Sequence, residues 1–455
     1  MSTLTPFFKT RGWRPFPFQK ETWQAYRDGK SGLLHAPTGL GKTLAVWLGP
    51  VAEAIETKNT KGCRVLWITP LRALALDTWK SLNEPLNDLK LKIEIGIRTG
   101  DTTPYQKAKQ KKKLPFCLIT TPESLSLLLT HENFRENLSG LTAIVVDEWH
   151  ELIGTKRGVQ TELCLARLRQ WFPNLRIWGL SATLGNTEEA KEVLLGSTAK
   201  DAAIISGARV KKVHIKTLLP KNIDRFPWSG HIGTQLVPQV VKILSANETT
   251  LLFTNTRSQT EIWFQELLEY RPEWKDELAM HHGSLDQEER KLVEERLREG
   301  NIRCVVCTSS LDLGVDFSPV SQVIQVGSPK GIARLMQRAG RSGHRPGGVS
   351  KLYCVPGNAL ELVEFAAARD AIAEKEIEAR FPLQKPLDVL VQHLVTVCIG
   401  EPTSAADLRR EVSSSYAYRN LSDREWQWAL EFITRGGQAL ASYPGFKKVT
   451  SVKGK

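Results

Sequence analysis

Short apolar runs recur along the chain, with longer helix-like stretches between them. The first series is Leu33-Leu34, Val65 to Ile68, Phe116 to Ile119, Ala143 to Val146 and Ile177 to Leu180. The second is Leu251 to Phe253, Cys304 to Cys307, Val323 to Val326 and Leu352 to Val355. Near-continuous apolar strands alternating with helices require a sheet covered on both faces, so each series predicts a parallel α/β sheet. The two series share this architecture without a sequence repeat. Between them, residues 205–235 carry Ser206-Gly207, Pro220, Pro227 and Ser229-Gly230, a linker composition.

The pattern changes after Pro356-Gly357. Residues 359–380 show helical spacing, and "FPLQKPLDVLVQHLVTVCIG" (381–400) begins a short helical run. "SDREWQWALEFITRGG" (422–437) reads as a helix capped by Ser422 or Asp423 and stopped by Gly436-Gly437. A β-like stretch, Ala439 to Val452, follows. Helices followed by a hairpin-like tail predict a small winged-helix module. The expected domains are therefore 1–205, 206–360 and 361–455, the last beginning a longer C-terminal region. About three domains is also what 455 residues predict at roughly 150 per domain.

Composition narrows the function classes. No apolar run approaches the ~20 residues of a membrane span, and "MSTLTPFFKTRGW" lacks a signal-peptide core. A cytoplasmic protein without a membrane partner is expected. The net charge of +13 favours a polyanionic partner, because Lys and Arg displace condensed counterions from phosphates. Seven scattered cysteines do not make a disulfide framework. Cys304 and Cys307 form a CxxC, but positions three apart on a strand face opposite sides, so no metal is expected there.

The chemistry concentrates in three segments. In "HAPTGLGKT" (35–43), a Gly-containing bend lies between a strand and a helix. Such a bend converges backbone N–H groups on phosphate oxygens. Thr38 lies in this bend, and Gly39 and Gly41 permit close approach. Lys42 reaches the terminal phosphates, and Thr43 offers its hydroxyl to Mg²⁺. Ala36 stands where the general GxxxxGK[ST] pattern has its first Gly. In "AIVVDEWHEL" (143–152), Asp147 and Glu148 fall at the carboxyl end of a strand, where α/β sheets gather their chemistry. Asp147 is expected to hold Mg²⁺, and Glu148 to orient and deprotonate a water. His150 either links this segment to the next or sits on a helix surface.

The third segment, "QRAGRSGHR" (337–345), puts three arginines among glycines in the second half of the chain. Arginines compensate charge on a transferring phosphoryl group. A phosphate loop in one half and arginines in the other would couple ATP to relative motion of the halves, the property of a motor. A P-loop kinase would instead need an acceptor site and a lid.

Taken in order, "FQ" (Phe18-Gln19), "APTGLGKT", "TPLRALA", "RTGD", "TTPES", "DEWH", "SATL", "FTNTRS", "TSSLDLGVD" and "QRAGRSGHR" resemble the motif set of superfamily 2 helicases over residues 15–350. The tryptophan in "DEWH", followed by "ELIGTKRG", is similar to the Lhr-type branch, and within it to the bacterial ligase-associated DEXH-box helicases. "QKPLDVLVQHLV" resembles the start of that branch's winged helix.

The resemblance implies two RecA-like domains in tandem, ATP with Mg²⁺, and 3′-to-5′ movement on single-stranded and duplex nucleic acid in DNA repair. It also implies a DNA ligase or nuclease as partner. DNA is the favoured strand; an RNA or RNA:DNA hybrid helicase and a non-processive ATP-gated clamp stay open. By position, Gln19 would read adenine, and Ser181, Ala182 and Thr183 would couple hydrolysis to motion. Thr69, Pro70, Arg72, Thr121, Pro122 and Glu123 would line the strand path in the first domain, and Thr254, Asn255, Arg257, Thr308 and Ser309 in the second. Asp312, Gly314 and Asp316 would shape the loop near the ribose and the finger, and Gln337, Arg338 and Arg341 would complete the catalytic set, with the two arginines facing the phosphates. The motif departs from many relatives in ending Gly343-His344-Arg345, which puts most weight on Arg341.

Three features lie outside these motifs. Lys107, Lys109 and Lys111 to Lys113 read as a solvated, mobile charge run ahead of a docking patch. Trp426 and Trp428 face different sides of one helix, so one is expected in the core. Lys447 and Lys448 in the expected wing suit a phosphate backbone.

Overall fold

The computed structural model describes residues 4–37, 39–182, 184–207, 213–220, 226–228, 232–244, 248–313, 320–342, 349–374, 376–436, 445, 447–450 and 452. The chain divides into two compact units. The first comprises Met1–Ala36, Gly41–Gly207 and Ala379–Lys455, and the second Pro37–Leu40 and Ala208–Glu378.

The first unit holds seven parallel strands: β1 Gly32–His35, β2 Val65–Ile68, β3 Ile95–Arg98, β4 Cys117–Thr120, β5 Ala143–Val146, β6 Arg176–Ser181 and β7 Ala203–Ser206. Their order is β3-β4-β2-β5-β6-β1-β7. Alternation along each strand supplies both faces. Leu66, Ile68, Ile144 and Val146 enter one apolar core with Leu165 and Leu168. On β2, Trp67 turns the other way and meets Trp47 edge-on at 6.5 Å. Every residue of β2, β4 and β5 is buried, which explains their unbroken apolar sequences.

The second unit holds six parallel strands: β8 Val213–Thr217, β9 Thr250–Phe253, β10 Leu278–His281, β11 Cys304–Cys307, β12 Gln322–Val326 and β13 Ser350–Val355. Their order is β10-β11-β9-β12-β13-β8. Cys307 lies in one core cluster and Cys304 in the other, so the CxxC pair straddles the sheet. Burial pushes the Cys304 thiol up to about 12.

Two expectations about boundaries change. The expected linker contains β8, which pairs in parallel with β13 at the edge of the second sheet. The helix Ala359–Glu374, expected to open the third domain, sends Phe365 and Ala368 into a core of the second unit. The β-like stretch expected from Ala439 lies largely outside the described residues. Residues 447–450 carry no strand, and Lys448 and Val449 donate their N–H groups to the Ile433 carbonyl.

The C-terminal helices Leu387–Gly400, Ala405–Ser413 and Asp423–Arg435 pack within the first unit. Ser422 starts the last of them with a capping box to Glu425. Trp426 is buried and Trp428 is exposed, stacking on Phe432 at 5.2 Å. The core of this module includes Val159 and Leu163 from the helix Lys156–Trp171, whose Cys164, Leu165 and Leu168 belong to the core of the first sheet. One helix therefore serves two cores.

Polar groups close the same seam. Arg167 is buried, donating to Glu411 at 2.8 Å and to Glu401 at 3.2 Å, with its guanidinium over the Trp171 ring. Asn186 exchanges two hydrogen bonds with the Arg380 backbone, and Glu162 accepts the Ala417 N–H at 2.9 Å. Breaking a buried pair such as Arg167–Glu411 on one side costs roughly 3–5 kcal/mol, because the remaining charge stays buried.

Candidate functional site

β1 leads into the phosphate loop, and the Ala36 N–H bonds back to the Ser181 carbonyl at the end of β6. Gly41 has φ 79°, a left-handed conformation that a side chain would strain, and it opens the helix Lys42–Thr57. No side chain caps that helix start, so its first N–H groups are available to an anion. Lys42 is buried and reaches across the loop to the Ala36 carbonyl at 2.7 Å. Gly39 is also left-handed, at φ 80°. Thr43 is half-buried in the first helical turn, and Thr38 lies outside the described residues.

Gln19 packs against this loop. Its amide oxygen accepts the Phe16 N–H at 2.9 Å, and its amide nitrogen donates to the Gly41 carbonyl at 3.1 Å. Phe16 and Phe18 stack in parallel beside it.

β5 ends at the acid pair. Asp147 accepts the Trp67 indole N–H at 3.2 Å and the Glu148 backbone N–H at 2.9 Å. Burial, with the like charge of Glu148 beside it, pushes the Asp147 carboxyl up to about 7. Glu148 sits at φ 44°, a backbone state that costs a non-glycine residue ~1–2 kcal/mol. That turn tucks its carboxylate inside, where Oε2 makes no hydrogen bond. A raised carboxyl and an unbonded buried carboxylate oxygen at the end of one strand suit a divalent cation and a water. Asp147 and Thr43 are the residues that would hold the cation.

His150 is buried, which removes the helix-surface alternative. Its Nδ1 accepts the Ala182 N–H at 3.5 Å, and its Nε2 lies 3.5 Å from Glu151. Burial lowers its pKa, so the ring is neutral at pH 7. The acid segment is thus tied to Ser181-Ala182 through one imidazole. Thr183 lies outside the described residues. His35, at the end of β1, was not singled out from sequence; burial and then the charge of Lys42 lower its pKa.

The residues expected along a strand path differ in what they present. Thr69 is buried and donates to the Leu71 and Thr120 carbonyls, and Pro70 is buried beside it. Thr121 is buried and caps the helix Pro122–Leu128 by accepting the Ser124 N–H; Pro122 is buried too. These four build the loops after β2 and β4. Exposed side chains there come from Arg72, bonded to Asp101 at 2.8 Å, and Glu123, paired with Arg157.

In the second unit, Thr254 is buried and its hydroxyl meets that of Thr260 at 2.7 Å. Asn255 donates to the Ser328 carbonyl at 2.7 Å. Arg257 is exposed and donates to Glu261 at 2.7 Å. Thr308 and Ser309 follow β11 beside two buried histidines that sequence reasoning passed over. His281 Nδ1 lies 2.7 Å from the Ser310 hydroxyl, and the His281 carbonyl accepts the Thr308 N–H. His282 lies 3.9 Å from Glu261. The pair "HH" before Gly283 at a strand end was the signal available.

The arginines of the 337–345 segment separate. Arg338 is 1% exposed, and its guanidinium donates to both Asp312 oxygens at 2.7 and 3.2 Å and to Gln325 at 2.6 Å, above the Phe253 ring. Its guanidinium braces β12, the Asp312 loop and the helix Ile332–Ala339 inside the second unit. Gln337 and Arg341 are also buried. Gly314, Asp316 and the Gly343-His344-Arg345 end of the motif lie outside the described residues.

Comparison with known proteins follows this layout. Residues 16–191 match the DEAD/DEAH box helicase family, residues 235–346 the helicase conserved C-terminal domain, and residues 370–455 the winged helix domain of large helicase-related proteins. The ATP-dependent helicase Lhr-Core of Methanocaldococcus jannaschii is 36% identical over 92% of the chain and 51% of its own length. The Lhr helicase/probable uracil glycosylase of Mycolicibacterium smegmatis is 32% identical over 95% of the chain and 32% of its own length. The structure of Mycobacterium smegmatis helicase Lhr bound to ssDNA and AMP-PNP superposes with a TM-score of 0.85 at 33% identity, over 95% of this chain and 57% of that one. The chain spans about half the length of the Lhr-Core relative. With two parallel-sheet RecA-like domains followed by this winged helix, the chain belongs to the Lhr-type branch of the superfamily 2 helicases.

Proposed function

We propose that the chain is a nucleic-acid-dependent ATPase whose turnover drives movement along a single strand, with DNA the favoured strand. The observation that carries this reading is the half-buried Asp147–Glu148 pair at the end of β5, with His150 of the same segment accepting the Ala182 N–H. Lys42 exchanges the Ala36 carbonyl for the terminal phosphates, and the uncapped N–H groups of its helix take the remaining oxygens. Mg²⁺, held by Thr43 and Asp147, would screen the phosphate charge. Glu148 takes the proton from the attacking water, and His150 passes the change at the acid pair to Ser181-Ala182. Arg341 is the residue of its motif assigned to the developing charge, with Gln337 beside it. Gln19 and the stacked Phe16–Phe18 rings are assigned to the base.

DNA is favoured because the similar solved helicase was captured with ssDNA and AMP-PNP. The finer expectations of 3′-to-5′ movement, a repair role and a DNA ligase or nuclease partner rest on the motif resemblance alone. ATP turnover measured with single-stranded DNA, with single-stranded RNA and without polynucleotide tests the reading. Stimulation by DNA is expected, and Glu148→Gln is expected to bind ATP without turning it over. Equal turnover with and without polynucleotide would refute the motor reading, and stimulation by RNA alone would reassign the strand.

A further inference from the structure

The lysine-rich run forms a helix, Pro104–Lys112. Thr103 caps it by accepting the Gln106 N–H, and Pro104 occupies its first turn. It is fastened to the edge strand β3: Arg98 donates to the Lys107 carbonyl at 2.9 Å and Gln110 to the Ile97 carbonyl at 2.9 Å. The helix buries none of its residues, so its lysines do not serve the core.

Its charge is unlike that of an ordinary solvated helix. The helix Gln287–Glu299 mixes Glu with Arg and Lys along its length. The Pro104–Lys112 helix contains no acid at all, and Lys107, Lys109, Lys111, Lys112 and Lys113 form no ion pair with any of the described residues. Lys107 and Lys111 are four apart on the helix and Lys109 and Lys112 three apart, and like charges at such spacings cost ~0.2–0.5 kcal/mol per pair. One or two cations in the last turn satisfy the helix dipole. Five lysines in a row of mutual repulsion are explained by an external polyanion.

The position identifies which polyanion. The helix starts three residues after Asp101, the carboxylate that holds Arg72, and the Lys107 ammonium donates to the Gly100 carbonyl at 3.2 Å. It therefore continues the proposed strand path past the edge of the first sheet. Nine residues of helix span about 13 Å. Duplex DNA offers a charge every ~1.7 Å of axis, a denser line than one strand. Lysines are point charges that position a backbone without reading sequence. We propose that this helix docks the sugar–phosphate backbone of the duplex that flanks the tracked strand. The inference rests on the motor reading for its geometry.

The test is the triple variant Lys109→Gln, Lys111→Gln, Lys112→Gln, all exposed positions where Gln matches Lys in helix propensity. Binding of a tailed partial duplex and of the single strand alone is measured across salt concentrations, with strand-stimulated ATP turnover in parallel. On the tailed duplex, affinity is expected to fall at least about tenfold and the salt slope by ~2–3. Affinity for the single strand and its stimulation of turnover are expected to stay within about twofold of the parent protein, as for exposed side chains that touch the flanking duplex and not the tracked strand. Equal losses on both ligands would place the helix on the single-strand path, and no loss on either would leave it a solvated face; both overturn the proposal. A parent protein without strand-stimulated turnover would defeat the motor reading separately, whatever the variant does on duplex.

Discussion

Arg338 and Arg341 lie three residues apart in one motif, yet removing them should do different things. In Arg338→Ala the buried Asp312 carboxylate loses both guanidinium bonds and keeps only the half-exposed Arg334 at 3.8 Å, and the Gln325 oxygen loses its donor. Stranding one member of a buried pair costs roughly 3–5 kcal/mol. The lost Gln325 bond and the contact with the Phe253 ring add to this, although coupled neighbours do not sum fully. For a domain of this size each kcal/mol lowers the melting temperature by about 2–4 °C, so the second unit should melt some ~10 °C or more earlier. Arg338→Lys should recover little, because an ammonium cannot span both carboxylate oxygens. Arg338→Ala combined with Asp312→Ala should regain part of the loss, since the stranded charge is gone. Arg341→Ala, by contrast, should lose about a thousandfold or more in strand-stimulated turnover while retaining ATP affinity. Calorimetry and ATP turnover on the same preparations check this. An Arg338→Ala protein that melts like the parent and fails only in turnover would refute the brace and restore the finger role.

Two further outcomes follow from the site and the seam. Asp101→Asn frees Arg72 from an exposed pair worth ~0.2–1 kcal/mol, so single-strand affinity should rise about two- to fivefold; the gain should vanish in an Arg72→Ala background, and a gain that persists there would mean general repulsion instead. Glu162 is buried against the Ala417 N–H, and burial pushes its carboxyl up to about 8. The unfolded chain ionises it near 4.5 while the folded chain keeps the proton, so its contribution to stability falls as pH rises from 4.5 towards 8. Glu162→Gln keeps the acceptor and removes the titration; its melting temperature should match the parent at pH 5 and exceed it at pH 8, and parallel pH curves would sink the assignment.

The central strands were legible because burial on both faces demands unbroken apolar residues. The strands that sequence reasoning missed were β3, β7, β8 and β10, and these are the four edges of the two sheets. An edge strand is half-buried: β8 reads Val-His-Ile-Lys-Thr, with two polar side chains facing out, and hid inside an apparent linker. In the candidate site, the positions of Lys42 at the helix start after β1 and of Asp147 and Glu148 just past β5 were legible from the apolar runs that precede them. The burial of Thr69, Thr121 and Thr254 was not, since a hydroxyl bonds a backbone carbonyl as readily as a phosphate. The brace made by Arg338 was hidden for a related reason. Its partner Asp312 is a loop residue 26 positions upstream, and no local pattern announces such a pairing.

The helix Lys156–Trp171 carries a mechanical consequence. It begins just after the segment that contains the acid pair, and its opposite flanks are wedged into separate apolar layers. It cannot roll about its own axis without opening one of them. The winged-helix module and the first sheet are therefore expected to melt as a single cooperative body. A protease nick between Glu378 and Leu387 would leave the two fragments clasped together in solution, joined by noncovalent grip alone.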